Sequence, residues 1–159
     1  MRILIVSATA AENRFDIRSE IKVGTPIKVK ESLNQDIDVL VTGIGAVPTA
    51  FSLTRYAQDY DLVINIGIAG AYKPKFSVGT VVCVKEDAFG DYGIDDRGTF
   101  RALSEMKSST NALTVQDGIL ANPWINVDFP MLKLPLVKGL TLSTASGSEE
   151  VIAKINQRW

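Results

Sequence analysis

Residues 36–72, DIDVLVTGIGAVPTAFSLTRYAQDYDLVINIGIAGAY, carry the pattern that sets the architecture. Ile37 to Val41 is an apolar run of the kind that suits a strand buried on both faces. Gly43-Ile44-Gly45 supplies a turn, and Pro48 stands in the first turn of a helix predicted over PTAFSLTRYAQDY, where its missing N–H is no loss. Phe51, Leu53 and Tyr56 are expected to face inward from that helix. Leu62 to Ile66 is a second buried strand, closed by Gly67 and Gly70. Strand, helix and strand of these lengths make a crossover, and such units join parallel strands.

On the amino-terminal side, Ile3 to Val6 is another short β-branched run, predicted as a buried strand. Ile21 to Lys30, IKVGTPIKVK, alternates apolar with cationic residues and suggests a half-solvated antiparallel strand or a hairpin broken at Gly24-Thr25-Pro26. Towards the carboxyl end, Val78 to Lys85 is rich in strand formers, whereas 86–101, EDAFGDYGIDDRGTFR, reads as a loop with interior glycines and no sustained periodicity. Pro123, Pro130 and Pro135 argue against long helices over 102–135. Leu140 to Leu142 suits a short strand. Ser148, Glu149 and Glu150, followed by Val151, Ile152, Ile155 and Trp159 with Lys154 and Arg158, predict a helix with a polar cap, an acidic first turn and a basic last turn. The expected fold is a single α/β domain over 1–159 with a mainly parallel central sheet.

Composition narrows the chemistry. The 159 residues hold 17 basic and 18 acidic side chains, a formal charge of −1, and 46% are apolar, which suits one soluble domain with a sizeable core. A near-neutral chain offers no clustered cationic face for nucleic acid or an anionic membrane. With no histidine, Ser-His-Asp and Cys-His catalysis, His-ligated zinc and a histidine pH switch are excluded. Cys83 is alone, which excludes an intrachain disulfide and a cysteine metal cluster. The longest apolar stretch, Leu62 to Tyr72, is too short and too polar to span a bilayer. MRILIVSATAAEN has the small residues Ala8 and Ala10 of a secretory signal, but its apolar part, Ile3 to Val6, falls below the usual length, so a cytoplasmic location is expected. Any reaction must rest on carboxylates, hydroxyls, amides, lysine, arginine or backbone.

Three small-residue corners follow the three predicted strands: Ser7 to Glu12, Thr42 to Gly45, and Gly67 to Gly70. In α/β sheets ligands gather outside the carboxyl ends of strands, so these corners are expected to converge on a pocket. None is a dinucleotide fingerprint or a P-loop, because Pro48 stands at the third glycine position and no Gly-Lys-Ser/Thr follows. Glu12 is the one carboxylate on the first corner. Thr9-Ala10-Ala11-Glu12 fits a capping box, the reading that spacing alone favours, and the other reading of Glu12 is a carboxylate at a pocket rim that holds and deprotonates a water. Asp87, Asp91, Asp95 and Asp96 lack the ligand spacing of a calcium loop and read as solvated. Asn65 reads as a satisfied core amide and Cys83 as a small buried hydrophobe.

Taken in order, ILIVSATAAE at 3–12, VTGIGAVPTA at 41–50, NIGIAGAY at 65–72 and VGTVV at 78–82 resemble the nucleoside phosphorylase/nucleosidase superfamily on its hydrolase side. FGDYGIDDRGTF at 89–100 and GLTLSTASGSEE at 139–150 resemble its futalosine hydrolases, relatives of the methylthioadenosine/S-adenosylhomocysteine nucleosidases. The resemblance implies a three-layer α/β/α fold around a mixed, mainly parallel sheet. It also implies hydrolysis of the N-glycosidic bond of a purine nucleoside without cofactor or metal, with futalosine or aminofutalosine of menaquinone synthesis as substrate. Glu12 stands where such nucleosidases place the carboxylate that activates water. The superfamily's phosphorylases have a phosphate-binding glycine there, and a carboxylate would repel phosphate. Ala8, Thr9, Ile44, Ile68, Ala69 and Gly70 match positions lining the ribose and base pocket, and Ser146 and Gly147 match the stretch whose backbone meets the purine. Relatives pair into dimers, so a homo-oligomer is expected, with a small purine nucleoside as partner and neither nucleic acid nor membrane.

The family's ribose-gripping Met-Glu motif and purine-protonating aspartate follow the helix predicted at 148–158. These 159 residues are therefore expected to lack the closing strand and helix, the leaving-group acid and the sugar clamp, and to turn over little or not at all. The rival expectations are a methylthioadenosine/S-adenosylhomocysteine nucleosidase, a non-catalytic nucleoside-binding or oligomer-forming remnant, and a flavodoxin-like module that flavin absorbance would mark.

Overall fold

A computed structural model describes residues 1–13, 15, 21–31, 35–72, 75–102, 119–124 and 133–159, which group into two units, Met1–Gly70 and Ala71–Trp159. The first unit is built on β1 (Arg2–Ser7), β2 (Ile27–Glu31), β3 (Asp36–Val41), α1 (Ala46–Tyr56) and β4 (Leu62–Asn65). β3 and β4 run parallel to β1, one on each side, and α1 is the crossover between them. β2 pairs antiparallel with β3, giving the order β2-β3-β1-β4. Of the alternating segment at 21–30, only the part after the predicted break is strand; before it the Thr25 N–H closes a turn on the Lys22 carbonyl at 3.1 Å.

The core follows from this pairing. Leu4, Val6 and Leu40 are at most 1% exposed, and Leu53, Tyr56, Tyr60 and Val63 pack against them. Ile3, Val39, Val41 and Leu62 are buried as well, as strands covered on both faces require. Phe51 corrects the sequence reading: it is 65% exposed, and the Arg55 guanidinium lies over its ring at 5.6 Å. Two residues on a helix turn through about 200°, so Phe51 cannot share a face with Leu53. Ser52, 3% exposed, is the buried residue of α1.

At the amino end of the sheet the Tyr60 hydroxyl donates to Asp38 Oδ2 at 2.6 Å, the Arg2 guanidinium lies 4.8 Å from the Tyr60 ring centre, and the Arg2 N–H donates to Asp61 Oδ2 at 2.7 Å. Partial burial first, and then the hydrogen bond and charge of Asp38, push the Tyr60 phenol well above its ordinary pKa.

The second unit contains β5 (Cys83–Phe89), β6 (Gly93–Asp96), β7 (Thr99–Ala102), β8 (Ile119–Ala121), β9 (Leu136–Thr141) and α2 (Glu149–Arg158). β5 is central, antiparallel to β8 and parallel to β9. The segment predicted as a loop over 86–101 is instead the second half of β5 and most of a β6–β7 hairpin. Arg97 and Gly98 form its two-residue turn with φ of 54° and 84°, the paired positive values of a type I′ turn. Its carboxylates have local partners: Asp87 accepts from Thr141 Oγ1 at 2.7 Å and the Ala88 N–H at 2.8 Å, Asp91 from the Ser143 N–H at 2.6 Å, Asp95 from the Gly98 N–H at 2.6 Å, and Asp96 pairs with Arg101 at 3.3 Å. Val78 to Val82 form no strand, and Val78 is fully exposed. The strand expected at Leu140 to Leu142 runs earlier, as β9. Most of 102–135 lies outside the described residues.

α2 has the predicted signals. Ser148 Oγ accepts from the Val151 N–H at 3.3 Å, Glu150 pairs with Lys154 at 2.7 Å, and Ile155 is buried. Within the unit, Asn156 Nδ2 donates to the Tyr72 carbonyl at 3.2 Å, Trp159 Nε1 to the Gly90 carbonyl at 3.4 Å, and Arg158 lies over the Phe100 ring at 4.2 Å. Among the described residues no helix is long and apolar enough to cross a membrane.

A phenol whose pKa is raised on folding contributes stability that is complete below its unfolded pKa of 10.0 and lost as pH rises through the folded value. Urea denaturation from about pH 9 to about pH 11 should show the unfolding free energy falling, and Tyr60→Phe should flatten that fall.

Candidate functional site

Parallel strands share polarity, so the carboxyl ends of β1, β3 and β4 open along one edge of the first unit's sheet. The first two corners are stitched by backbone: the Thr42 N–H donates to the Ser7 carbonyl at 2.9 Å and the Gly43 N–H to the Ala8 carbonyl at 3.1 Å. Gly43 and Gly45 take φ of 94° and 105°, which side-chain-bearing residues rarely adopt. Thr49 Oγ1 donates to the Gly45 carbonyl at 2.9 Å and lies 3.1 Å from Thr42 Oγ1, which pins the second corner to α1.

Glu12 ends a 3-10 turn, Ala10–Glu12, capped by extended Thr9. Its Oε2 accepts from the Thr9 N–H at 2.7 Å and from Thr9 Oγ1 at 3.0 Å. The capping geometry is therefore present, and it occupies one oxygen. Oε1 turns to the third corner, where the Ile68 N–H approaches at 3.4 Å, a long and weak bond that leaves it capacity to accept from water. A methyl group on Gly67 would lie 3.0 Å from Oε1, so glycine there admits the carboxylate.

Ala8 and Thr9 are half-buried in the first corner. Ile44 and Ile68 are 80% and 88% exposed, and Ala69 and Gly70 are exposed beside Ile68. The edge thus combines a partly buried carboxylate with open apolar side chains. Ser146 and Gly147 belong to the second unit, where Ser146 Oγ lies 2.7 Å from the Tyr72 hydroxyl and Gly147 is exposed. Asn65 is exposed at the end of β4 rather than a satisfied core amide, because the strand stops there and its last side chain meets the open edge. Cys83 is buried as expected. Sequence reading passes over Asn13, which is completely buried behind the first corner; the signal lay in a polar residue directly following a capping box.

The chain belongs to the phosphorylase superfamily, which its residues 3–146 match. A 5′-methylthioadenosine/S-adenosylhomocysteine nucleosidase of Marinomonas sp. (strain MWYL1) is 36% identical over 69 residues, 42% of this chain, and the match spans only 30% of that relative's length. Among solved structures, the corresponding nucleosidase of Neisseria meningitidis in complex with methylthio-immucillin-A matches with a TM-score of 0.64 at 20% identity, over 99% of this chain and 71% of the other. A Helicobacter pylori variant of this nucleosidase, with 5′-methylthioadenosine in the active site, gives 0.68 at 16% identity over the same shares. That of Colwellia psychrerythraea with adenine gives 0.62 at 19%, over 100% and 69%. The likeness establishes a mixed α/β fold of nucleoside phosphorylase type.

Gly67→Ala should displace Oε1 from the third corner. Hydrogen exchange at the Ile68 amide is expected to quicken several-fold with only a small change in melting temperature; unchanged exchange would mean that the carboxylate does not rest there.

Proposed function

We propose that this chain hydrolyses the N-glycosidic bond of a purine nucleoside, futalosine or aminofutalosine, with Glu12 as the base that activates water. The supporting observation is the divided carboxylate of Glu12: one oxygen held by Thr9 at 2.7 and 3.0 Å, the other facing the third corner with acceptor capacity in hand. A general base has to be fixed in place and within reach of its proton.

In the proposed reaction the bond from the anomeric carbon to the purine nitrogen breaks, its electron pair leaves with the base, which takes up a proton from solvent, and positive charge grows on the ribosyl ring. Glu12 stabilises that charge and takes the proton from the water whose oxygen bonds to the anomeric carbon. A carboxylate in this position repels phosphate, which favours hydrolysis over phosphorolysis. Ala8, Thr9, Ile44, Ile68, Ala69 and Gly70 frame ribose and base in this proposal. None of the assigned residues is an acid for the departing base, a group that contributes about 10² to 10⁴ in rate, so slow turnover is expected. The reaction as proposed uses no cofactor and takes place in the cytoplasm. Exposed Val47 and Phe51 support assembly of copies into a homo-oligomer.

The choice of futalosine rests on residues 89–100 and 139–150. A second reading, 5′-methylthioadenosine or S-adenosylhomocysteine as substrate, is supported by the Marinomonas relative. Release of free base from aminofutalosine, futalosine and methylthioadenosine separates them, and preference for methylthioadenosine would overturn the first. A purine that raises the melting temperature without any base release would instead support a binding role. Glu12→Gln keeps the shape and a capping oxygen but not the base; it should lose at least about 10²-fold in base release with little change in melting temperature. Retained activity would leave Glu12 a capping residue.

A further inference from the structure

Two buried polar side chains lie behind the first corner and have no part in the reaction as described. Ser7 and Asn13 are both 0% exposed. Ser7 Oγ donates its single proton to the Thr9 carbonyl at 3.0 Å. Its lone pairs are left for Asn13 Nδ2, which approaches at 3.5 Å, the long limit for such a bond. Among the described residues Asn13 Oδ1 has no partner. An unpaired buried carbonyl oxygen destabilises a fold, so an apolar residue of equal size would serve packing better. The paired end of the side chain is where a role lies. It leads through Ser7 to Thr9, whose N–H and hydroxyl hold Glu12 Oε2.

We propose that Ser7 and Asn13 are positioning residues for Glu12, fixing the Thr9 peptide so that Oε2 is held and Oε1 stays turned to the third corner. The proposal rests on the reading of Glu12 as the base. Displacing a base by a fraction of an ångström affects turnover much more than binding, so Ser7→Ala and Asn13→Leu should each lower kcat on the order of 10-fold with KM nearly unchanged. Because the two act in one chain, the double variant should fall no further than the worse single variant. Asn13→Leu, which removes the unpaired oxygen, should melt at or above the temperature of the unaltered protein.

The test combines base-release kinetics, thermal melting and the amide proton shift of Thr9 by NMR on the 159-residue chain. Loosening the bond to Glu12 should move the Thr9 amide upfield in both variants. Kinetics within twofold together with an unmoved Thr9 amide would assign the pair to packing and overturn the proposal. If the unaltered chain releases no base, the functional reading fails, and the Thr9 amide alone decides whether the pair orients Glu12. Ser7→Ala removes a single oxygen and decides the matter should Asn13→Leu fail to fold.

Discussion

Parallel pairing of β1 with β3 on one side and β4 on the other governs everything at the proposed site. Arg2–Ser7 lies in register with Asp36–Val41, and Ile3–Val6 with Leu62–Asn65. A slip of one residue would turn Leu4 and Val6 from the α1 face to the opposite one, so the burial of Leu4, Val6 and Leu40 enforces the register. Truncating Leu4 or Leu40 to alanine costs about 2–5 kcal/mol in comparable cores, a large fraction of a typical domain's stability. The same register fixes which residues emerge together at the carboxyl edge.

At that edge, hydrogen bonding does what packing cannot. Ser7 links the strands through its carbonyl, which receives the Thr42 N–H, and shapes the turn through its hydroxyl. Thr9 then supplies two donors to one carboxylate oxygen, and such charge-assisted bonds are stronger than neutral ones. The acidic residues at 86–101 are used differently. Asp87, Asp91, Asp95 and Asp96 close turns, meet hydroxyls or pair with arginine within the second unit. Glu12 differs from them in having one oxygen held firmly and the other turned to an open corner.

The amino-acid pattern revealed elements where local rules suffice. The β1 and β3 runs, the Pro48 helix start and the Ser148 cap all match structure because strand burial and helix capping act within a few residues. The β6–β7 hairpin is not legible in the sequence because every residue of β6 is exposed, so no apolar alternation marks it, and Arg97 rather than asparagine or aspartate opens the turn. Val78 to Val82 have strand-forming side chains yet no neighbouring strand to pair with among the described residues. Phe51 lies on the other side of its helix from the one expected, because apolar character does not say which side of a helix meets the sheet.

Glu12 could be read from spacing as both cap and candidate base, and the three corners could be located, because turns and caps are written in adjacent residues. Which oxygen is held and which is open depends on Ile68, 56 residues away, and on a register set by core burial. The burial of Asn13 beside Ser7 has the same origin: it follows from how strands and turns pack in space, and no rule acting over a few residues contains it.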